Sequence, residues 1–142
     1  WSSWKMKKAE HQGVYETITQ YIDGVGDSIT FGFGIKDREN DSYPAQLGQI
    51  LGSAWEVMNF GRSGLTLMGK GDHPYIKAGA YRKALAYQPD VVVIKLGTND
   101  CKPVNWKHKA DYEQDYLKMI CLFRLHNMNT LPHLYHHHCL KI

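Results

Sequence analysis

Cysteine is scarce in this chain. Cys101, Cys121 and Cys139 are the only three, and no CxxC pair occurs. An odd, sparse set reads as free thiols rather than a disulfide framework. Long apolar runs are missing as well. Nothing approaches the roughly 18 residues of a membrane span, and the lysines near the amino terminus precede no apolar stretch of the signal-peptide kind. The compartment therefore stays open. Charge of one sign is not concentrated. The formal net charge is +3, and the basic clusters at 5–8 and 107–109 are short, which reads as solvated surface rather than a nucleic-acid footprint. Internal repeats and low-complexity segments are absent. Nucleotide fingerprints fail too: Gly24 and Gly26 begin a GxGxxG, but Ile29 takes the third glycine's place, and no GxxxxGK[ST] exists.

What is present is 142 residues, 43% hydrophobic and 22% charged, the composition of one globular domain. "YIDGVGDSITFG" reads as a short strand running into a glycine turn, although Asp23 and Gly24 interrupt the apolar run of a buried parallel strand. "DSYPAQLGQILG" reads as a helix. Ser42 caps it, Pro44 sits in its first turn, Gly52 ends it, and Tyr43, Leu47, Ile50 and Leu51 share one face. "AWEVMNFG" follows as a strand. "DHPYIKAGAYRKALAYQPD" is a second helix, with Tyr81, Ala84 and Leu85 inward and Pro89 as its stop. "DVVVIKLG" is the clearest strand, and its four successive β-branched residues predict full burial. A third helix spans "ADYEQDYLKMICLF", with Tyr112, Tyr116, Met119, Ile120 and Phe123 at helical spacing. This alternation predicts an α/β fold with a parallel sheet and right-handed crossovers.

Each strand ends in a polar, glycine-bearing motif: "GDSITFG", "NFGRSG" and "GTND". Ligands of open parallel sheets bind at the carboxyl ends of strands, near a switch in strand order. With the first strand between the other two, all three motifs share one crevice. Ser28 then sits just past a strand, with its hydroxyl exposed and its own N–H pointing at the ligand. Acyl transfer also needs donors for the developing oxyanion, and a glycine N–H of the second motif and the amide of Asn99 are candidates.

These motifs resemble blocks I, II and III of the SGNH hydrolase superfamily, the GDSL esterases and lipases. The resemblance implies a three-layer α/β/α, flavodoxin-like fold with about five parallel strands. It implies Ser28 as nucleophile and first oxyanion donor, Gly64 as the backbone donor of block II, and Asn99 as the side-chain donor of block III. It further implies no metal or organic cofactor, and a small-molecule or carbohydrate ester as substrate. The segments "GIKDRENDSYPAQL" and "VVIKLGTNDCKPVNW" narrow the likeness to the carbohydrate-acetylesterase branch, in particular sialate O-acetylesterase-like proteins. Removal of O-acetyl groups from carbohydrates through an acyl-enzyme is the expected reaction. A thioesterase or lysophospholipase of the same superfamily is one rival. A non-catalytic binding fragment without a general base is another.

The fragment reading arises because block V, a DxxH, is missing. No aspartate is followed three places on by a histidine. Asp72-His73-Pro74 lies before the third strand and reads as a helix start. The tail holds His126, His133, His136, His137 and His138, any of which is open as a substitute base. "HLYHHHC" lacks the spaced second ligand pair of a zinc site, so no metal is assigned. The family-like pattern runs over 25–123. Residues 1–24 match poorly and 124–142 form an atypical histidine-rich tail, so both ends read as foreign and the fold as incomplete at its carboxyl end. Among other residues, Asp27 and Asp100 are expected to fix turns, Asn59 to pin the second loop, and Lys95 to lie near a sheet edge or snorkel. Arg62 reads as surface, with contact to an acidic substrate as the sharper alternative. Trp106 either stacks on a sugar or packs its loop. The oligomeric state stays open.

Overall fold

The computed structural model describes residues 19–129. Their central element is β1 (Gln20–Gly26), flanked by β2 (Trp55–Gly61) and β3 (Val91–Lys95), and all pairing is parallel. The register sets Ile22 opposite both Val57 and Val91, and Gly26 opposite Gly61 and Lys95. All three strands therefore run out at one rim, in the order β2-β1-β3. Asp90 closes the other end: its N–H donates to Tyr21 O at 2.8 Å, and its Oδ2 accepts from Tyr21 N at 2.7 Å.

Strand alternation sorts the side chains into two faces. On one face Pro44 lies over Gly24 and Gly48 lies against Val57, which seats α3 (Tyr43–Leu51) there. The short α1 (Ser28–Phe31) and α2 (Arg38–Asp41) precede it. On the other face Val25 packs into a cluster with Leu67, Tyr75, Tyr81, Met119 and Phe123. This cluster is covered by α4 (Gly79–Tyr87) and α6 (Tyr112–Asn129), while α5 (Pro103–Trp106) lies in the loop after β3. Tyr81 meets Phe123 edge-on at 5.7 Å and Tyr75 at 6.4 Å. Such ring pairs contribute about 0.5–1.5 kcal/mol each beyond the area they bury. The layering is α/β/α, as the sequence implies.

Several local expectations need correction. Asp23 and Gly24 do not break the first strand; they lie inside the central one, which begins within the segment set aside as poorly matching. Ile50 is 80% exposed and Leu51 37%, because α3 meets the sheet through Pro44 and Gly48, turning Ile50 outward. Ser42 stands at the N-cap of α3 but its side chain makes no capping bond. The second helix starts only at Gly79, since a 3₁₀ turn (Tyr75–Lys77) and extended Ala78 occupy the residues before it. β3 is not fully buried. Val91 is 43% exposed and Lys95 is exposed, because β3 is an edge strand among the described residues. Lys95 therefore does lie at an edge. The third helix runs on past Phe123 to Asn129. His133, His136, His137, His138 and Cys139 lie outside the described residues.

Candidate active site

The rim is assembled from backbone contacts. Gly26 ends β1, Asp27 turns the chain, and Ser28 is the first residue of α1. As a first helical residue, Ser28 has an N–H without an intrahelical partner. Asp27 Oδ1 accepts from Ile29 N at 3.0 Å, a side-chain N-cap that holds the turn. The glycines permit this packing. A Cβ on Gly26 would stand 1.9 Å from Thr30 Oγ1, and one on Gly61 would stand 2.3 Å from Phe31 N. Neither position admits a side chain without moving α1, so the helix that begins with Ser28 is pressed onto the ends of β1 and β2.

Block II is tied to block I by two further residues. Arg62 N donates to Gly26 O at 3.0 Å. Asn59 Nδ2 donates to Thr30 O at 2.8 Å, while its Oδ1 accepts from Gly61 N at 2.9 Å. Gly64 then adopts φ +84°, in the left-handed region. Its neighbour Leu65 offers a carbonyl to Asn99 Nδ2 at 3.0 Å, which joins block II to block III. An amide nitrogen carries two protons, so this bond leaves Asn99 a second N–H. The structure thus brings the loops of Ser28, Gly64 and Asn99 to one rim on adjacent strands, with Asn99 7% exposed and Ser28 half-buried.

Two buried residues brace the rim from behind. Asp100 accepts from Leu67 N at 2.9 Å and from Met68 N at 2.8 Å, so the expectation that it fixes a turn is met by a distant loop rather than its own. Asn105, 1% exposed, donates to Asn99 O and Asp72 Oδ1, each at 2.9 Å, and accepts from Asp72 N at 2.8 Å. The Asn105 bond, together with the neighbouring His73, holds the Asp72 carboxyl below the usual carboxylate range. Sequence reasoning missed Asn105. Its Asp72 partners stand 33 residues away, and an asparagine in "PVNW" carries no local sign of such contacts.

The described histidines are His73, His108 and His126, and none is hydrogen-bonded to Ser28. Asp72 and His73 approach to 3.5 Å, but both are exposed and the Asp72 carboxylate is held by Asn105. His126 adjoins Asn127, whose Nδ2 donates to Pro89 O at 2.7 Å. Pro89 precedes β3, so His126 lies at the amino end of the sheet. Five residues of β3 separate it from the rim, about 17 Å at strand rise. Among the described residues no hydrogen bond joins Ser28 to an imidazole. No helix among them is long and apolar enough to cross a membrane.

This arrangement has counterparts elsewhere. Residues 25–135 match the model of the GDSL-like lipase/acylhydrolase family. Over 100 residues the chain is 53% identical to an acetylxylan esterase of Xylanibacter ruminicola, covering 70% of this chain and 21% of that protein. The chain thus spans about a fifth of that relative's length. Among solved structures, AlinE4, an SGNH-hydrolase family esterase, superposes with a TM-score of 0.57 at 24% identity, over 80% of this chain and 56% of that one. A mutant of the same esterase gives the same values. At this identity the likeness speaks for the fold alone. With the three glycine-bearing loops on adjacent strand ends and a family match over most of its length, the chain belongs to the GDSL-like lipase/acylhydrolase family.

Proposed function

We propose that this chain carries the nucleophile and oxyanion half of a serine esterase that removes O-acetyl groups from carbohydrates. One observation carries the reading: three loops ending adjacent parallel strands are hydrogen-bonded to one another around Ser28, Gly64 and Asn99. The 53% identity to an acetylxylan esterase supports the substrate class. In this reading Ser28 Oγ attacks the acetyl carbonyl. The N–H groups of Ser28 and Gly64 and the second N–H of Asn99 receive the oxyanion. The sugar hydroxyl leaves, and water then releases acetate from the acyl-enzyme.

A second reading, a binding fragment that keeps the crevice, is favoured by one observation. No imidazole is hydrogen-bonded to Ser28 among the described residues. General-base assistance is worth about 10²- to 10⁴-fold, so unless a histidine of the tail reaches Ser28 the chain should hydrolyse an activated acetyl ester slowly. The deciding experiment combines a fluorophosphonate label, read by mass spectrometry, with acetate release from acetylated xylo-oligosaccharide. Label on Ser28 and acetate release lost in Ser28→Ala are expected. Asn99→Ala should lower the rate about 10²- to 10³-fold. Acetate release unchanged by Ser28→Ala would sink the esterase reading. A panel with acyl-CoA and lysophospholipid separates it from the thioesterase and lysophospholipase alternatives.

A further inference from the structure

Beside the rim, along the outer edge of β2, lies a cavity of about 450 Å³ that the esterase reading leaves unused. Arg38, Arg62 and Lys83 line it, together with Phe31, Gly61 and the single carboxylate of Glu39. We infer that this cavity is a subsite for the carboxylate of an acidic sugar, so that the preferred ester carries a uronate beside its acetylated residue. The inference rests on the esterase reading of Ser28.

Charge is the first argument. Three cations face one anion, and none of the three is in a salt bridge among the described residues. Placement is the second. The Arg38 guanidinium lies 4.0 Å from the centroid of the Phe31 ring, a stacking contact that orients its donors. Arg62 leaves the sheet where its N–H bonds to Gly26 O, two residues before Ser28 on the neighbouring strand end. Distance is the third. Phe31 and Ser28 belong to the same turn of α1, about 5 Å apart along its axis at 1.5 Å per residue. Ser28 itself does not line the cavity. A group bound there is therefore held beside the reacting ester, not on it. A guanidinium fork matches a carboxylate in two parallel hydrogen bonds, and in a carbohydrate ester the carboxylate belongs to an acidic sugar, of which a uronic acid is the kind found beside acetylated neutral sugars. A neutral sugar would leave the three cations unanswered.

The test is calorimetric titration of the intact chain with a glucuronate-bearing oligosaccharide and with its carboxyl-reduced counterpart. The acidic sugar should bind about tenfold more tightly, the equivalent of one good charge-assisted contact. That advantage should shrink as salt is raised and vanish in Arg62→Gln and Arg38→Gln. Equal binding of the two sugars by the unaltered chain overturns the inference, whatever the variants do. Displacement by inorganic sulfate at the sugar's own affinity also overturns it, since the cavity then recognises any anion. Acetate release separates the two readings. Acidic-sugar binding without Ser28-dependent hydrolysis keeps the subsite and removes the esterase. Ser28-dependent hydrolysis with equal kcat/KM on acidic and reduced substrates keeps the esterase and removes the subsite.

Discussion

Asp23, Asp27 and Asp100 are buried to the same degree, at 0%, 1% and 0% exposure, yet their surroundings differ completely. Asp100 answers two backbone N–H groups and Asp27 answers one. Neither oxygen of Asp23 has a hydrogen-bond partner among the described residues. Position explains the contrast. Asp27 and Asp100 follow strand ends, where loops turn unpaired N–H groups toward them. Asp23 sits in the middle of β1, whose backbone is committed to strands on both sides. Its carboxyl faces Met58 and Val92 across the strands. Among the described residues Tyr75 and Tyr87, with Glu56 bonded to the latter, are titratable groups close to it. Burial alone pushes the Asp23 carboxyl up to about 8. The rim at the strand ends is thus where this fold accommodates carboxylates, and the strand interior is where it does not.

The largest effect tests that contrast at Asp23. In the unfolded chain this acid ionises near its ordinary value of 3.8, while in the folded chain it holds its proton to about 8. Between those values unfolding releases a proton, so rising pH favours the unfolded state. Its contribution is fully present below about pH 4 and lost by about pH 8, a fall of about 5 kcal/mol. Asp23→Val should flatten that profile in urea denaturation series at several pH values. An equally steep fall in the variant would show that Asp23 is answered by a group the contrast omits.

A smaller loss is expected at the rim. Asp100→Ala strands the buried N–H groups of Leu67 and Met68 and should cost about 3 kcal/mol in the same assay. Asn105→Ala should lower kcat without a matching rise in KM, because Asn105 holds the Asn99 carbonyl and not the substrate. A variant that raised KM alone would mean Asn105 serves the substrate pocket instead.

Sequence pattern made the sheet and its three loops legible because their signals are local. The run Val91–Ile94 is a strand by composition, and glycines mark each strand end. What stayed hidden depends on partners. Asp23 obscured β1, since nothing nearby in the chain says that a carboxyl will be tolerated in a central strand. Ile50 fits an inward face by helical period, but the seating of α3 depends on Pro44 over Gly24 and Gly48 against Val57. β3 reads as buried, and only its place in the sheet exposes Val91. Asp100 and Asn105 act across more than thirty residues, a separation no local pattern reports.

The smallest effect sharpens the contrast from within. Among the described residues Asp27 answers a single N–H, that of Ile29, and its Oδ2 has no partner. Removing an N-cap costs typically about 1 kcal/mol, so Asp27→Ala should destabilise roughly a third as much as Asp100→Ala. Asp27→Asn keeps an oxygen for Ile29 N and should recover most of that loss. The order follows from counting backbone N–H groups left unanswered: two at Asp100, one at Asp27. Because Asp27 fixes the turn that presents Ser28, fluorophosphonate labelling of Ser28 should slow in Asp27→Ala and recover in Asp27→Asn. If Asp27→Ala cost as much as Asp100→Ala, the number of answered N–H groups would not be what separates these carboxylates. Electrostatic coupling along the rim would then have to replace it.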